Sequence, residues 1–191
     1  METKPFLIGG EWRTTANTQE VRSPFTNETL ALVSYASRSD VEEAIAVAAS
    51  AAREMRPQPR YEVAESLRTL ADYIKEHRED FARTMALESG KPIKAARGET
   101  DRAVSTFTFA AEEARRFTGE KIPIDTQTLG RARLGWVERI PRGVIFGITP
   151  FNFPLNLSRI KSRQRLPLAT PSSSSRVRAH RLPPSCSAKR F

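Results

Sequence analysis

A single cysteine, two histidines and no long apolar run exclude several classes of protein at the outset. One thiol cannot build a disulfide framework or a multi-cysteine metal centre, and it suits a reducing, cytoplasmic setting. Two histidines give no ground to expect a His-based metal site, so none is expected. No stretch approaches the roughly 20 consecutive apolar residues of a membrane helix, so no membrane partner is expected. The opening METKPFLIGG has neither a secretory nor a transit pattern. Acidic residues are also missing, but from one place only. The 191 residues carry a formal net charge of +9, which taken alone points to nucleic acid or an anionic surface. Residues 158–191 hold nine Lys/Arg and no Asp or Glu; removing those nine from the total of 31 leaves 22 basic against 22 acidic residues in 1–157. The body is neutral and the whole excess lies in its last segment. With hydrophobic residues at 39% and charged residues at 28%, that body can build a core of one domain or somewhat more.

The body reads as α/β. Phe6-Leu7-Ile8, stopped by Gly9-Gly10 and followed by Trp12, reads as a strand and turn. Glu20–Arg22 and Leu30–Tyr35 flank the turn-rich Ser23–Glu28, so a hairpin is expected. Ser39 and Glu42 have capping-box spacing ahead of Val41, Ala44, Ile45 and Ala48, which predicts a helix. Pro57 and Pro59 end it and open the next, whose stripe is Val63, Leu67, Leu70 and Ile74. Phe81 and Met85 continue helical spacing up to Gly90, a C-terminal cap ahead of Pro92. A third helical stretch runs from about Lys94 to Thr118 with Ala103, Phe107, Ala110 and Ala114 inward, and stops at Gly119. The aromatic and Met side chains at these spacings read as core, and the charges between them as solvated faces.

The texture changes from Arg133. Leu134, Trp136 and Glu138 alternate with Gly135, Val137 and Arg139 as in a strand, and Pro141-Arg142-Gly143 makes a turn. Val144–Ile148 is almost continuously apolar, which suits a strand buried on both faces of a parallel sheet. It runs into Thr149-Pro150-Phe151-Asn152-Phe153-Pro154. Ligands of open α/β sheets bind beyond the carboxyl ends of strands. Two prolines would stiffen this loop and make the Asn152 amide a fixed N–H donor, able to stabilise a developing oxyanion. Taken alone, an Asn in a Pro-rich turn is more often a local turn-former.

Pro141–Leu157, P-R-G-V-I-F-G-I-T-P-F-N-F-P-L-N-L, resembles the aldehyde dehydrogenase superfamily. Phe6–Trp12 is similar to the family's F-I-G-G-E-W entry segment, Ser23–Glu28 to its S-P-x-T-x-E turn, and Leu87–Pro92 to its E-x-G-K-P helix end. The four motifs stand in the family's order and cover about residues 5–157. Phe151 and the continuation Phe153-Pro154-Leu155-Asn156-Leu157 resemble the branch of non-phosphorylating glyceraldehyde-3-phosphate and lactaldehyde dehydrogenases. The resemblance implies the N-terminal part of the family's fold: an incomplete Rossmann-like dinucleotide-binding domain, with residues of about 130–140 in a sheet used for homo-oligomerisation. It also implies oxidation of a small aldehyde to a carboxylic acid with NAD or NADP. In the family a cysteine thiolate attacks the carbonyl, hydride passes to the cofactor, and a glutamate-activated water releases the acid. Asn152 matches the oxyanion-hole asparagine, and Ile148, Thr149, Pro150 and Phe151 match the segment along the cofactor. The nucleophile and general base have no counterpart in this sequence. Cys186 lies in P-P-S-C-S-A without the Gly-Gln pair that precedes the family's nucleophile, and nothing near it favours a thiolate; His180 sits among tail residues. The family elements expected to cover Val144–Ile148 are also missing here, so Ser39–Thr118 is expected to be the best-ordered region.

After Leu157 the pattern departs from the family. Residues 158–191 are rich in Ser, Pro and Arg, and lack glycine, acidic residues and periodicity. Joining the third base of each codon to the first two of the next changes that. Arg159 and Ile160 (CGN, ATN) yield C-AT, histidine, and Ile160 with Lys161 yields A-AA, lysine. The displaced frame can read V-A-H-K-I-A-P-A-L-A-T-G-N-P-V-V-V-K-P, which resembles what the family has here, including a Lys-Pro pair whose lysine contacts the cofactor ribose. The segment is therefore read as a frameshifted, disordered tail. Two other readings of the chain are a basic nucleic-acid binder and a helical interaction module of Ser39–Thr118. The neutral body and a tail with no aromatic except Phe191 argue against the first, and no residue pattern names a partner for the second.

Overall fold

The computed structural model describes residues 3–131, 133–148 and 152–156. The chain opens with β1 (Thr3–Lys4), β2 (Phe6–Ile8) and β3 (Glu11–Arg13). β2 and β3 pair antiparallel with Ile8 opposite Glu11, which leaves Gly9-Gly10 as a two-residue turn. Both glycines have positive φ, 58° and 88°. This is the conformation that makes a tight hairpin follow the right-handed twist of its strands, and Gly adopts it without a Cβ penalty. β4 (Thr18–Arg22) and β5 (Thr29–Ser34) form the expected second hairpin, with a bulge between Val21 and Arg22, and β1 adds parallel to the other edge of β5. In its turn the Ser23 hydroxyl accepts from the amides of Phe25 and Thr26, while Asn27 takes the left-handed conformation.

Four helices follow. α1 (Arg38–Met55) packs Ala44 against Phe6 and Ile8 of β2. Its cap differs from the predicted one. Ser37, not Ser39, is the N-cap: its hydroxyl accepts from the Asp40 amide, and the Asp40 carboxylate accepts in return from the Ser37 amide. The same reciprocal geometry is reached two residues earlier because Asp substitutes for Glu. α2 (Arg60–Glu76) starts at Pro59, as its stripe predicts. The continuous spacing through Phe81 and Met85 hides a break. The chain leaves helical geometry at His77 and begins α3 (Arg78–Ser89). α4 (Ile93–Arg116) is the longest element.

The main core lies between α2 and α4. Ala64, Leu67, Ala71 and Ile74 meet Ala103, Phe107, Ala110, Ala111 and Ala114, all buried, with Leu155 from the far end of the chain packed alongside. Alanines at the crossing let the two backbones approach closely, and the larger Leu67, Ile74 and Phe107 supply most of the apolar area, each worth about 1.5–3 kcal/mol when fully buried. A smaller cluster joins Ala82 and Met85 of α3 to Ala96 of α4, again with Leu155 against it. Outside these cores the two helices are laced by ion pairs. Arg78 grips both oxygens of Asp101 at 2.5 and 2.7 Å, and Arg97 grips Glu79 at 2.8–3.1 Å.

β6 (Glu120–Ile122) and β7 (Gly135–Val137) pair antiparallel across a 3-10 turn at Thr128–Gly130. β7 is the expected strand around Trp136; its partner β6 was not foreseen. Trp136 and Leu134 are largely exposed. At Val144–Ile148 the pattern of a doubly buried strand is not realised. This stretch joins no sheet among the described residues, and Val144, Phe146 and Ile148 are exposed. A parallel strand needs neighbours on both edges and helices on both faces, and none of the described elements lies in position to provide them. The apolar run therefore has the pattern of a strand for which the described residues hold no sheet. No described helix is long and apolar enough to cross a membrane.

Candidate active site

Of the residues read as functional, Asn152 and Ile148 lie in described structure. Thr149, Pro150 and Phe151 lie outside the described residues, as do His180, Cys186 and all of 158–191. Asn152 is exposed on a short turn at 152–156 that leads into a helical turn at Pro154. Ile148, on the other side of the undescribed residues, is also exposed. The two are therefore exposed at either end of the same Pro-rich segment.

What holds the turn was not read from the sequence. Glu99, in the middle of α4, is 3% exposed. One of its carboxylate oxygens, Oε1, accepts from the backbone amides of Leu155 at 3.0 Å and Asn156 at 3.2 Å. The other, Oε2, accepts from the Lys91 ammonium at 2.6 Å. Lys91 Nζ also donates to the Asn152 carbonyl at 3.0 Å and lies 4.5 Å from the centre of the Phe153 ring. The Asn156 side-chain amide donates to the Glu99 carbonyl at 3.2 Å. Both oxygens of the buried carboxylate thus have partners, one of them a cation, which is the condition for keeping a charge out of water. Below this polar layer Leu155 is wedged against both helical cores.

A signal for Glu99 was present. It stands three residues after Ala96 and four before Ala103, inside the stripe that α4 buries. A carboxylate at such a position has to be paired. Lys91 sits in the motif Glu88-Ser89-Gly90-Lys91-Pro92, and the reason for the glycine is now visible. Gly90 closes α3 at φ 66°, donating its amide to the Ala86 carbonyl at 3.0 Å. A Cβ built there would lie 3.1 Å from Pro24 Cγ. Two of the four sequence motifs therefore touch each other, and a third, at Asn152, is tied to one of them through Lys91.

A family model described as the aldehyde dehydrogenase family matches residues 12–167. The chain belongs to the aldehyde dehydrogenase family. It is 40% identical over 151 residues to a 3-sulfolactaldehyde dehydrogenase of Priestia aryabhattai, covering 78% of this chain and 31% of that protein. It is 37% identical over 158 residues to a lactaldehyde dehydrogenase of Methanocaldococcus jannaschii, covering 81% and 32%. Among solved structures, the NADP-dependent glyceraldehyde-3-phosphate dehydrogenase of Bacillus halodurans, complexed with NADP, superposes with a TM-score of 0.82 at 30% identity, over 90% of this chain and 36% of that one. The chain thus spans about a third of the length of the curated relatives it matches. The match confirms the family and the N-terminal part of its fold. It ends at residue 167, whereas the motifs carry the resemblance only to about Leu157. Nothing in these relatives favours a nucleic-acid binder or a repurposed interaction module.

Proposed function

We propose that these 191 residues are the N-terminal region of an NAD(P)-dependent dehydrogenase that oxidises a small aldehyde to its acid, with Asn152 as the oxyanion donor. The observation that carries this is the 152–156 turn, which exposes Asn152 while its backbone is bonded into the helical core. An oxyanion donor has to be held before charge develops, because a donor that must reorganise gives back what it gains. The Asn152 amide N–H would donate to the substrate oxygen as it takes up negative charge. Ile148 with Thr149, Pro150 and Phe151 would lie along the nicotinamide cofactor, which when bound accepts the hydride. An exposed Ile148 fits that role. Lactaldehyde-like substrates are favoured by the named relatives. The β6–β7 hairpin, with Trp136 and Leu134 exposed, is offered as the contact between subunits.

The residues after Leu157 are proposed to result from a single-base insertion or deletion near codon 157. Sequencing codons 157–191 and the bases after them tests this: a downstream dehydrogenase frame encoding a Gly-Gln-x-Cys-like segment is expected. By themselves the 191 residues are expected to produce no NAD(P)H from any small aldehyde, since Cys186 has no activating surroundings in the sequence. Turnover that is abolished by Cys186→Ala would overturn this. In the frame-restored protein, Asn152→Ala is expected to lower kcat by about 100- to 1,000-fold, the usual cost of losing one oxyanion donor.

A further inference from the structure

We infer that Lys91 and Glu99 are positioning residues for Asn152, acting as one buried ion pair that grips both ends of the 152–156 turn. The inference rests on the reading of Asn152 as oxyanion donor and adds the residues that place it. Lys91 Nζ takes the carbonyl of Asn152 at the start of the turn, and Glu99 Oε1 takes the amides of Leu155 and Asn156 at its end. The Lys91–Glu99 bond at 2.6 Å closes the circuit between them. Both residues are anchored in rigid structure. Glu99 lies mid-helix in α4 beside fully buried Thr100, and Lys91 follows the left-handed cap at Gly90.

The pair is poorly explained as a source of stability alone. Buried ion pairs rarely outperform apolar residues of the same volume, and the surrounding alanines, Met85 and Leu155 show that apolar packing is available here. What an apolar pair could not provide is direction. Three hydrogen bonds to main-chain atoms fix the path of the turn. The grip falls on the backbone of Asn152 and leaves its exposed side chain for a ligand.

The test uses the full 191-residue chain with Glu99→Gln and Lys91→Met, read by residue-resolved amide hydrogen exchange and backbone relaxation. Loss of the charge-assisted bonds is expected to speed exchange at Leu155 and Asn156 by about tenfold. Order parameters at Asn152 and Phe153 should fall from the rigid range near 0.85 toward about 0.6. Protection of Leu67, Ile74 and Phe107 should stay unchanged. Unchanged exchange and order parameters across 152–156 in both variants would overturn the proposal. So would a loss of protection spread evenly through α2 and α4 in both, because that is the signature of general stabilisation. The catalytic reading fails separately: normal turnover of a frame-restored Asn152→Ala enzyme would remove the oxyanion role and leave the exchange result standing.

Discussion

At the scale of single residues, the chain concentrates its constraints where helices end. Gly90 has two independent reasons to be glycine: a left-handed backbone and Pro24 within contact distance of any Cβ. Gly90→Ala is expected to destabilise by about 1–2 kcal/mol from the backbone alone. The expected readout is a lower urea midpoint at unchanged slope. Gly98, in mid-helix, has open space around its Cβ position; Gly98→Ala is expected to stabilise by about 0.5–1 kcal/mol and serves as the opposite-signed control. Gly90 was legible from sequence, since a glycine before Pro at the end of an apolar stripe is a helix stop. Its contact with Pro24 was not, because the two are far apart in the chain and only the fold brings them together.

At the scale of elements, legibility followed the period of the pattern. α2 and α4 have apolar stripes that the structure buries in register; both ends of α4 and the start of α2 agree with the pattern to within about two residues. The break at His77 was missed because the spacing passes through it unchanged; two helices can keep one phase across a one-residue interruption. The cap of α1 was displaced because two serines each had an acidic residue three positions on. Ser37→Ala is therefore expected to cost about 1 kcal/mol and Ser39→Ala little, as measured by thermal or denaturant melts. The ion pairs between α3 and α4 predict a pH dependence. Hydrogen bonds from Arg78 hold the Asp101 carboxyl below the ordinary range, and those from Arg97 do the same for Glu79. Both groups protonate at lower pH folded than unfolded, so the unfolded chain binds more protons in the interval between. Their contribution is present above about pH 4, the ordinary carboxylate value, and is lost as pH falls through the lower folded values. These groups are exposed, so a gradual decline in melting temperature as the pH falls below about 4 is expected rather than a sharp transition. Asp101→Asn should flatten it.

At the scale of the whole molecule, the motifs identified the family, and the fold and comparisons agree. Asn152 stands out in the sequence because of the residue pattern around it, and its role rests on the proposal above. The Lys91–Glu99 pair does not stand out, since it joins a helix end, a mid-helix position and a turn more than fifty residues further on. The pattern at Val144–Ile148 is that of a covered strand, but the sheet is not among the described elements, in line with the absence from the sequence of the family elements that would cover it. Hydrophobic patterning reports what a segment needs, not whether its neighbours are present.

That exposed strand sequence also sets how the chain behaves in company. Val144, Phe146 and Ile148 are exposed on a segment outside any described sheet, whose apolar, strand-like sequence offers another segment a place to pair. The nearest source of such a segment is another molecule of the same chain. Loss of soluble protein by this route is bimolecular, so its initial rate rises with the square of concentration, and the chain limits its own abundance. Light scattering over a dilution series is expected to show that quadratic dependence, and Phe146→Lys, which places a charge on the exposed edge, is expected to suppress it.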